Sequence, residues 1–170
     1  GTYYDDYREK YRFSTWPYSI PGEVLQGFAM SDGAYGNAFM IGYNNWWDYT
    51  IIGIEAGAMD WPNGIVNIDN VPRQMADLAF CPRVPHRFEP NRDLLFFYFW
   101  DDLATEERLL SWFPNGYVKR ITTYNSPTYD FKILRVPALG EDNFRAFIAA
   151  NVVDPVCPPP PPDPLALPAG

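Results

Sequence analysis

The stretch LLFFYFWDDLATEERLLSWF, residues 94–113, decides the fold. Its first seven residues are apolar without alternation. They are short, aromatic and bounded by charge, which is typical of a strand buried on both faces. Leu103, Leu109, Leu110 and Phe113 then recur at helical spacing. A buried strand that leads into a helix within a few residues indicates an α/β fold.

Strands and helices also alternate on both sides of this stretch. Upstream, we predict helix 23–31, strand 38–43, helix 48–58 with Asp48 as its N-cap, strand 65–68 and helix 71–80. Downstream, we predict a hairpin of strands 117–124 and 131–136 and then helix 141–151. These elements predict one layered α/β domain, residues 1–151, with a mainly parallel sheet and an antiparallel edge hairpin.

The N-terminal residues are aromatic and charged. In YYDDYREKYRF, residues 3–13, Tyr3, Tyr7 and Tyr11 are four apart and share one helical face. A short helix is expected there. Residues 15–22 carry two prolines and are predicted to form a turn.

The C-terminal residues, 152–170, form a proline-rich tail whose five consecutive prolines favour polyproline II. We expect the tail to dock on this domain or on a neighbour, since ordered tails are normally tied down. Cys81 and Cys157 both adjoin prolines, and either a disulfide or two free thiols fits the sequence. The prolines expected to dock are Pro158, Pro159, Pro160, Pro161 and Pro162.

The bulk composition restricts the partners. The net charge is −8, which argues against a nucleic-acid backbone or an anionic membrane surface. No run of 18 apolar residues is present, so a membrane is expected only through a partner or an anchor outside this sequence. Aromatic residues make up 18% of the chain, which suits both a core and a contact surface.

Two polar segments, residues 44–48 and residues 101–102, follow predicted strands, at the edge where open α/β sheets bind ligands. In the first interpretation their tryptophans stack on a sugar or lipid headgroup, their amides bind hydroxyl groups and their carboxylates hold a divalent cation. In the second, Asp48 and Asp102 cap helices and the tryptophans pack. The second interpretation is favoured, with glycan or partner contact as the best functional use. The residues concerned are Asn44, Asn45, Trp46, Trp47, Asp48, Asp101 and Asp102.

The sequence lacks the motifs that are typical of several classes of enzyme reaction. His86 is the single histidine, and no Gly-x-Ser-x-Gly elbow, phosphate loop or dinucleotide fingerprint occurs. Two cysteines and one histidine at wide spacing match no zinc pattern. We therefore expect no catalytic residue, no metal and no cofactor in this chain.

The order of blocks resembles a known family. FMIGYNNWWDYTIIGIEAG, LLFFYFWDD, ATEERLLSWFPNGYVKRI and DFKILRVP follow one another as in the extracytoplasmic C-terminal domain of bacterial polytopic glycosyltransferases. Those enzymes are similar to dolichyl-phosphate-mannose–protein mannosyltransferases, and the resemblance is best to the Chloroflexota-like kind. It covers roughly residues 3–150. It implies sugar transfer from a polyprenyl-phosphate donor by a membrane part that this sequence does not contain.

These observations together predict a function. We expect a non-catalytic, extracytoplasmic accessory or interaction domain that contacts a protein partner, its own copies or glycan, as a building block of a larger assembly. The alternative is part of a glycosyltransferase that binds a sugar or a polyprenyl-phosphate-sugar.

Overall fold

A computed structural model describes residues 18–42, 47–123 and 129–155, and the single positions 157, 159 and 161. The strands within these ranges are β1 (Ala38–Ile41), β2 (Gly64–Ile65), β3 (Leu94–Phe99), β4 (Tyr117–Ile121) and β5 (Phe131–Val136). The α-helices are α1 (Ser19–Ala29), α2 (Tyr49–Glu55), α3 (Val71–Phe80), α4 (Leu103–Trp112) and α5 (Glu141–Asn151).

The strands form one sheet in the order β2-β1-β3-β5-β4. β1 is parallel to both β2 and β3, whereas β5 is antiparallel to both β3 and β4. Among the described strands, β5 alone therefore runs against the others. The predicted α/β class and the antiparallel edge hairpin, β4 with β5, are confirmed. The sheet was predicted to be mainly parallel, but only its β2-β1-β3 part is parallel and the rest is antiparallel.

The central strand β3 distributes its side chains to two cores. Leu94, Phe96 and Tyr98 belong to one buried cluster, and Leu95 and Phe97 belong to the other. All five are at most 2% exposed. The apolar run of the sequence is thus a strand buried on both faces, as predicted, because helices cover each side of the sheet.

One side of the sheet, the three-helix face, is covered by α3, α4 and α5. Phe96 stacks between Phe39 and Phe113, with ring centroids 5.5 and 5.7 Å away. Phe144 of α5 stacks on Phe88 at 4.7 Å. Offset aromatic pairs of this kind contribute dispersion beyond the apolar area that they bury.

The other side, the two-helix face, is covered by α1 and α2 within the described ranges. Leu25 of α1 and Ile52 of α2 are fully buried there. The two helices approach closely because Gly22 lacks a side chain: a Cβ at that position would lie 2.6 Å from Cβ of Glu55.

The helix predictions are mostly confirmed. α5 spans the predicted residues, and α2 begins after Asp48 as expected. The prediction that residues 15–22 form a turn is wrong for its last part, because α1 already begins at Ser19 and carries Pro21 in its first turn. Proline is tolerated there since the first helical N–H groups have no intrahelical acceptor. The helix predicted within residues 3–13 lies outside the described residues.

The amino ends of β1 and β3 are joined by a buried side chain. Asn37 is fully buried, and its Nδ2 donates to the carbonyl groups of Glu89, Arg92 and Asp93 at 2.8 to 3.1 Å. Its Oδ1 accepts from the Glu89 N–H at 2.8 Å. A buried amide that uses both ends in this way fixes the irregular segment before β3 to the sheet.

A disulfide cross-links the C-terminal tail to the domain. Cys81, the residue after α3, forms a disulfide with Cys157, and their Cα atoms are 5.2 Å apart. Of the two alternatives left by the sequence, the structure thus contains the disulfide.

Candidate functional site

The strand ends that precede the two predicted polar segments lie side by side. β1 and β3 are adjacent parallel strands, with Met40 opposite Phe97. Gly42, just after β1, has a positive φ of 68°, and a Cβ there would lie 3.9 Å from Oδ2 of Asp102. The end of β1 and the start of α4 therefore meet at the carboxyl edge of the sheet, where open α/β folds bind ligands.

Asp48 is a helix cap. Its Oδ1 accepts the Thr50 N–H at 3.0 Å and the Thr50 hydroxyl at 2.6 Å. This bond satisfies one of the free N–H groups at the start of α2. The Asp48 N–H in turn donates to the hydroxyl oxygen of Tyr18 at 3.4 Å, and burial raises the pKa of that phenol.

Asp102 has the same role at the start of α4. Its Oδ1 accepts the Thr105 N–H at 3.2 Å, and its Oδ2 accepts the Thr105 hydroxyl at 2.7 Å. Both Asp102 oxygens therefore stabilise the first turn of the helix. Asp101 differs, because its side chain is exposed to solvent and only its backbone carbonyl takes part, accepting the Leu103 N–H.

Trp47 is a core residue rather than an open aromatic platform. It is 1% exposed, and its ring meets Tyr18 edge-on at 5.1 Å and Phe131 at 6.1 Å. Its burial links the start of α1 to β5. Asn44, Asn45 and Trp46 lie outside the described residues.

A buried polar network lies below this edge on the three-helix face. Glu106 of α4 accepts a hydrogen bond from the Tyr98 hydroxyl at 2.7 Å and one from Nζ of Lys132 at 3.0 Å. Lys132 and Glu106 are only 17% and 19% exposed. Burial, together with the Glu106 carboxylate, raises the pKa of Tyr98. The network holds α4 to β3 and β5, and all three groups satisfy one another.

A second charged pair extends this network to the edge strand. Arg120 of β4 binds Asp130 at 2.9 Å, and its guanidinium lies 4.4 Å from the centre of the Trp100 ring. Asp130 is buried and also accepts the Thr123 N–H at 2.9 Å. The charges are thus paired across β4, β5 and the end of β3. Sequence reasoning missed both groups, although charged residues on alternating strand positions were a signal for them.

A polar cleft of about 330 Å³ lies at the opposite, amino edge of the sheet. Its lining includes Tyr35, His86, Arg87 and Arg92. Nε2 of His86 lies 2.6 Å from Oδ1 of Asp60, and this hydrogen bond holds the pKa of Asp60 below its usual range. Sequence reasoning treated His86 as a loop residue and did not anticipate Asp60, which lies 26 positions away.

Two arginines of the cleft bind backbone carbonyl groups of the protein. Nη1 of Arg87 donates to the carbonyl groups of Leu78, Ala79 and Cys81 and so caps the end of α3. Nη1 of Arg92 donates to the Ser31 carbonyl at 3.0 Å. The described lining contains no serine, threonine or cysteine that His86 could activate. The two arginines therefore tie the segment around residues 87–92 to the ends of α3 and α1.

The tail leaves the domain on the surface. Val153 is 92% exposed, and Pro159 and Pro161 are exposed as well. Pro158, Pro160 and Pro162 lie outside the described residues. The disulfide at Cys157 fixes the base of this proline segment to the end of α3.

No group of three or more His, Cys, Asp or Glu side chains within residues 18–42, 47–123 and 129–155 is arranged to hold a metal ion. In the same ranges no helix combines the length and the apolar character that a membrane crossing requires.

No protein-family model, curated protein or solved structure matches this chain.

Proposed function

We propose that this chain is a non-catalytic extracytoplasmic interaction domain of glycosyltransferase-like ancestry, and that its proline-rich tail engages a protein partner or another copy of the chain. The observation that carries the proposal is the Cys81–Cys157 disulfide. It converts the first part of the tail from a free end into a segment with a fixed starting point on the domain.

The chemistry of the tail supports recognition by a protein. A run of five prolines favours an extended polyproline II helix, which loses little conformational entropy on binding. Its described members, Pro159 and Pro161, are exposed. The proline run is therefore a preorganised and accessible ligand for a partner protein that has an aromatic groove.

The extracytoplasmic location is supported by the same Cys81–Cys157 disulfide. Disulfides persist in secreted and cell-surface proteins and are rare where thiols are kept reduced. The experiment is the mass of the protein isolated from its natural source. A disulfide makes the chain lighter by two hydrogen atoms than the reduced form, and two free thiols would contradict an extracytoplasmic location.

The non-catalytic part is supported by the roles of the acidic residues. Asp48 and Asp102 use their carboxylates to cap α2 and α4, and Trp47 is buried. Helix capping accounts for both carboxylates without a substrate.

The partner is tested by photo-cross-linking in living cells. A photoreactive amino acid at position 161 is expected to give one dominant adduct, either with another protein or with a second copy. The control position is 59, where Met59 is 81% exposed and lies outside the tail. Serine at positions 158–160 and 162 keeps the length and the disulfide, and should abolish the adduct. Equal adducts from both positions, or none from 161, would overturn the proposal.

A second candidate function is sugar binding at the carboxyl edge of the sheet. It is favoured by the carboxyl edge of the sheet itself, where a Cβ on Gly42 would lie 3.9 Å from Oδ2 of Asp102 and where Asp101 is exposed. Titration calorimetry with polyprenyl-phosphate-sugar analogues in detergent should then show binding that Asp101→Asn weakens. Asp142→Asn, an exposed acidic residue on α5, is the matched control. Absence of heat with the parent chain would exclude this candidate.

A further inference from the structure

The two-helix face of the sheet is incompletely covered within the described ranges. Phe131 of β5 belongs to its core, and Ile121 of β4 is the cross-strand partner of Phe131. Because side chains alternate along a strand, Ile133 and Lys119, another cross-strand pair, share this side of the hairpin. So does Tyr117, which is 69% exposed.

Helix α1 borders this region. Gly22 faces α2, and Ile20 and Val24 are each two positions away, so they lie on the opposite side of the helix. Both are only partly buried against the core of the two-helix face. Phe28 of the same helix lies under the Arg135 guanidinium at 5.5 Å, which places α1 beside β5. We call Ile20, Val24, Tyr117, Lys119, Ile121 and Ile133 the open face.

The N-terminal residues join the domain at one end of the open face. Tyr18 precedes α1, and its ring contacts Trp47, which contacts Phe131. Phe131 is opposite Ile121. Tyr18, the first described residue, therefore lies on the side of the Ile121 end of β4.

The length of this segment suits the open face. A helix from Tyr3 to Tyr11 would be about 14 Å long, and the five residues of β4 span about 16 Å. The six residues that separate Tyr11 from Tyr18 reach up to about 20 Å when extended, enough to reverse the chain direction.

The side chains are complementary as well. On a helix, Tyr3, Tyr7 and Tyr11 fall within one narrow arc, and Asp6 lies next to that arc. The open face offers isoleucines at its centre and Tyr117 and the exposed Lys119 at its rim. Among the ion pairs of the described residues, none involves Lys119. We infer that residues 1–17 dock on the open face, with the tyrosine stripe against Ile121 and Ile133 and with Asp6 near Lys119.

The test uses the full-length, disulfide-bonded chain. A photoreactive amino acid replaces Tyr7 in one preparation and Glu9 in another, since Glu9 falls on the opposite side of the predicted helix. Peptide mass spectrometry of the monomeric product should locate the adduct from position 7 in residues 117–121 or 131–135. The preparation labelled at position 9 should not give this adduct.

A second measurement covers the case in which the photoreactive group disturbs docking. Amide hydrogen exchange in β4 should become several-fold faster in the Tyr7→Ser and Tyr11→Ser double variant, and remain unchanged in Glu9→Ser. Adducts from position 7 between two copies, adducts elsewhere in the chain, or unchanged exchange in the double variant would each overturn the inference. None of these outcomes depends on the partner of the C-terminal tail, so the two proposals fail independently.

Discussion

The two faces of the sheet show two ways in which one chain protects a core. The three-helix face is closed by α3, α4 and α5, and the disulfide of Cys81 anchors the tail at the end of α3. The two-helix face is closed by α1 and α2 over β1 and β3, and the described residues leave its edge at β4 partly open. On the two-helix side of β4 the described residues leave Tyr117 and Lys119 exposed, and there we infer that residues 1–17 dock.

The largest expected effect comes from truncating the central strand toward either face. Phe96 and Phe97 are adjacent, fully buried and belong to opposite cores. Phe96→Ala and Phe97→Ala should each lower the free energy of unfolding by about 3–5 kcal/mol, through lost burial and a residual cavity. Urea unfolding checks this. A much smaller loss for Phe97→Ala would mean that the two-helix face is loosely packed even below its helices.

The disulfide should come next in size. Cys81 and Cys157 are 76 residues apart, and a cross-link that closes such a loop stabilises by about 4 kcal/mol in the chain-entropy treatment. The Cys81→Ser and Cys157→Ser double variant should therefore unfold at lower urea concentration. Its fold should persist, which circular dichroism checks. An unchanged midpoint would show that the tail contributes nothing to the three-helix face.

The two capping aspartates provide a matched pair across the faces. Asp48→Ala at α2 and Asp102→Ala at α4 should each lower the free energy of unfolding by about 1 kcal/mol. Asp48→Asn and Asp102→Asn should recover most of the loss, because asparagine caps nearly as well. A severe loss for only one alanine variant would indicate that this carboxylate does more than cap its helix.

The smallest expected effect is a stabilisation on the three-helix face. Burial raises the pKa of Asp77, opposed by Arg73, and Oδ1 of Asp77 is buried with no hydrogen-bond partner among the described residues. Since the folded-state pKa exceeds the unfolded value, stability falls as the pH rises through that raised pKa. Asp77→Asn should thus stabilise by about 0.5 kcal/mol at neutral pH, after allowance for solvent screening. Thermal unfolding at about pH 3 and pH 7 checks this, with no gain expected in acid, where the carboxyl group is neutral.

The sequence predicted the parts of the fold that depend on local patterns. The apolar run of β3 and the cap at Asp48 are visible in a few neighbouring residues, and both predictions are confirmed. The early start of α1 was missed because proline usually signals a turn, although the first helical turn accepts Pro21.

The long-range polar contacts could not be predicted in this way. Asn37 binds residues 52 to 56 positions away, and Asp60 binds His86 at a separation of 26. Only the folded chain brings these partners together, and one sequence contains no periodic signal for them. The site prediction was limited for the same reason: two strands ending in acidic residues were recognised, but the bonds of Asp48 and Asp102 to threonines three or fewer positions ahead decide their role.

The hydrogen bonds of Asn37 also determine where proteases can cut. Residues 81–93 are rich in proline and contain Arg83, Arg87 and Arg92, so trypsin would be expected to cleave there first. Cleavage requires a segment to unfold locally into an extended form. Yet Phe88 is 1% exposed and the backbone around Glu89 is held by Asn37. The native protein should therefore resist cutting after Arg87 during brief digestion, and the rate of that cutting reports how often the β1–β3 junction opens.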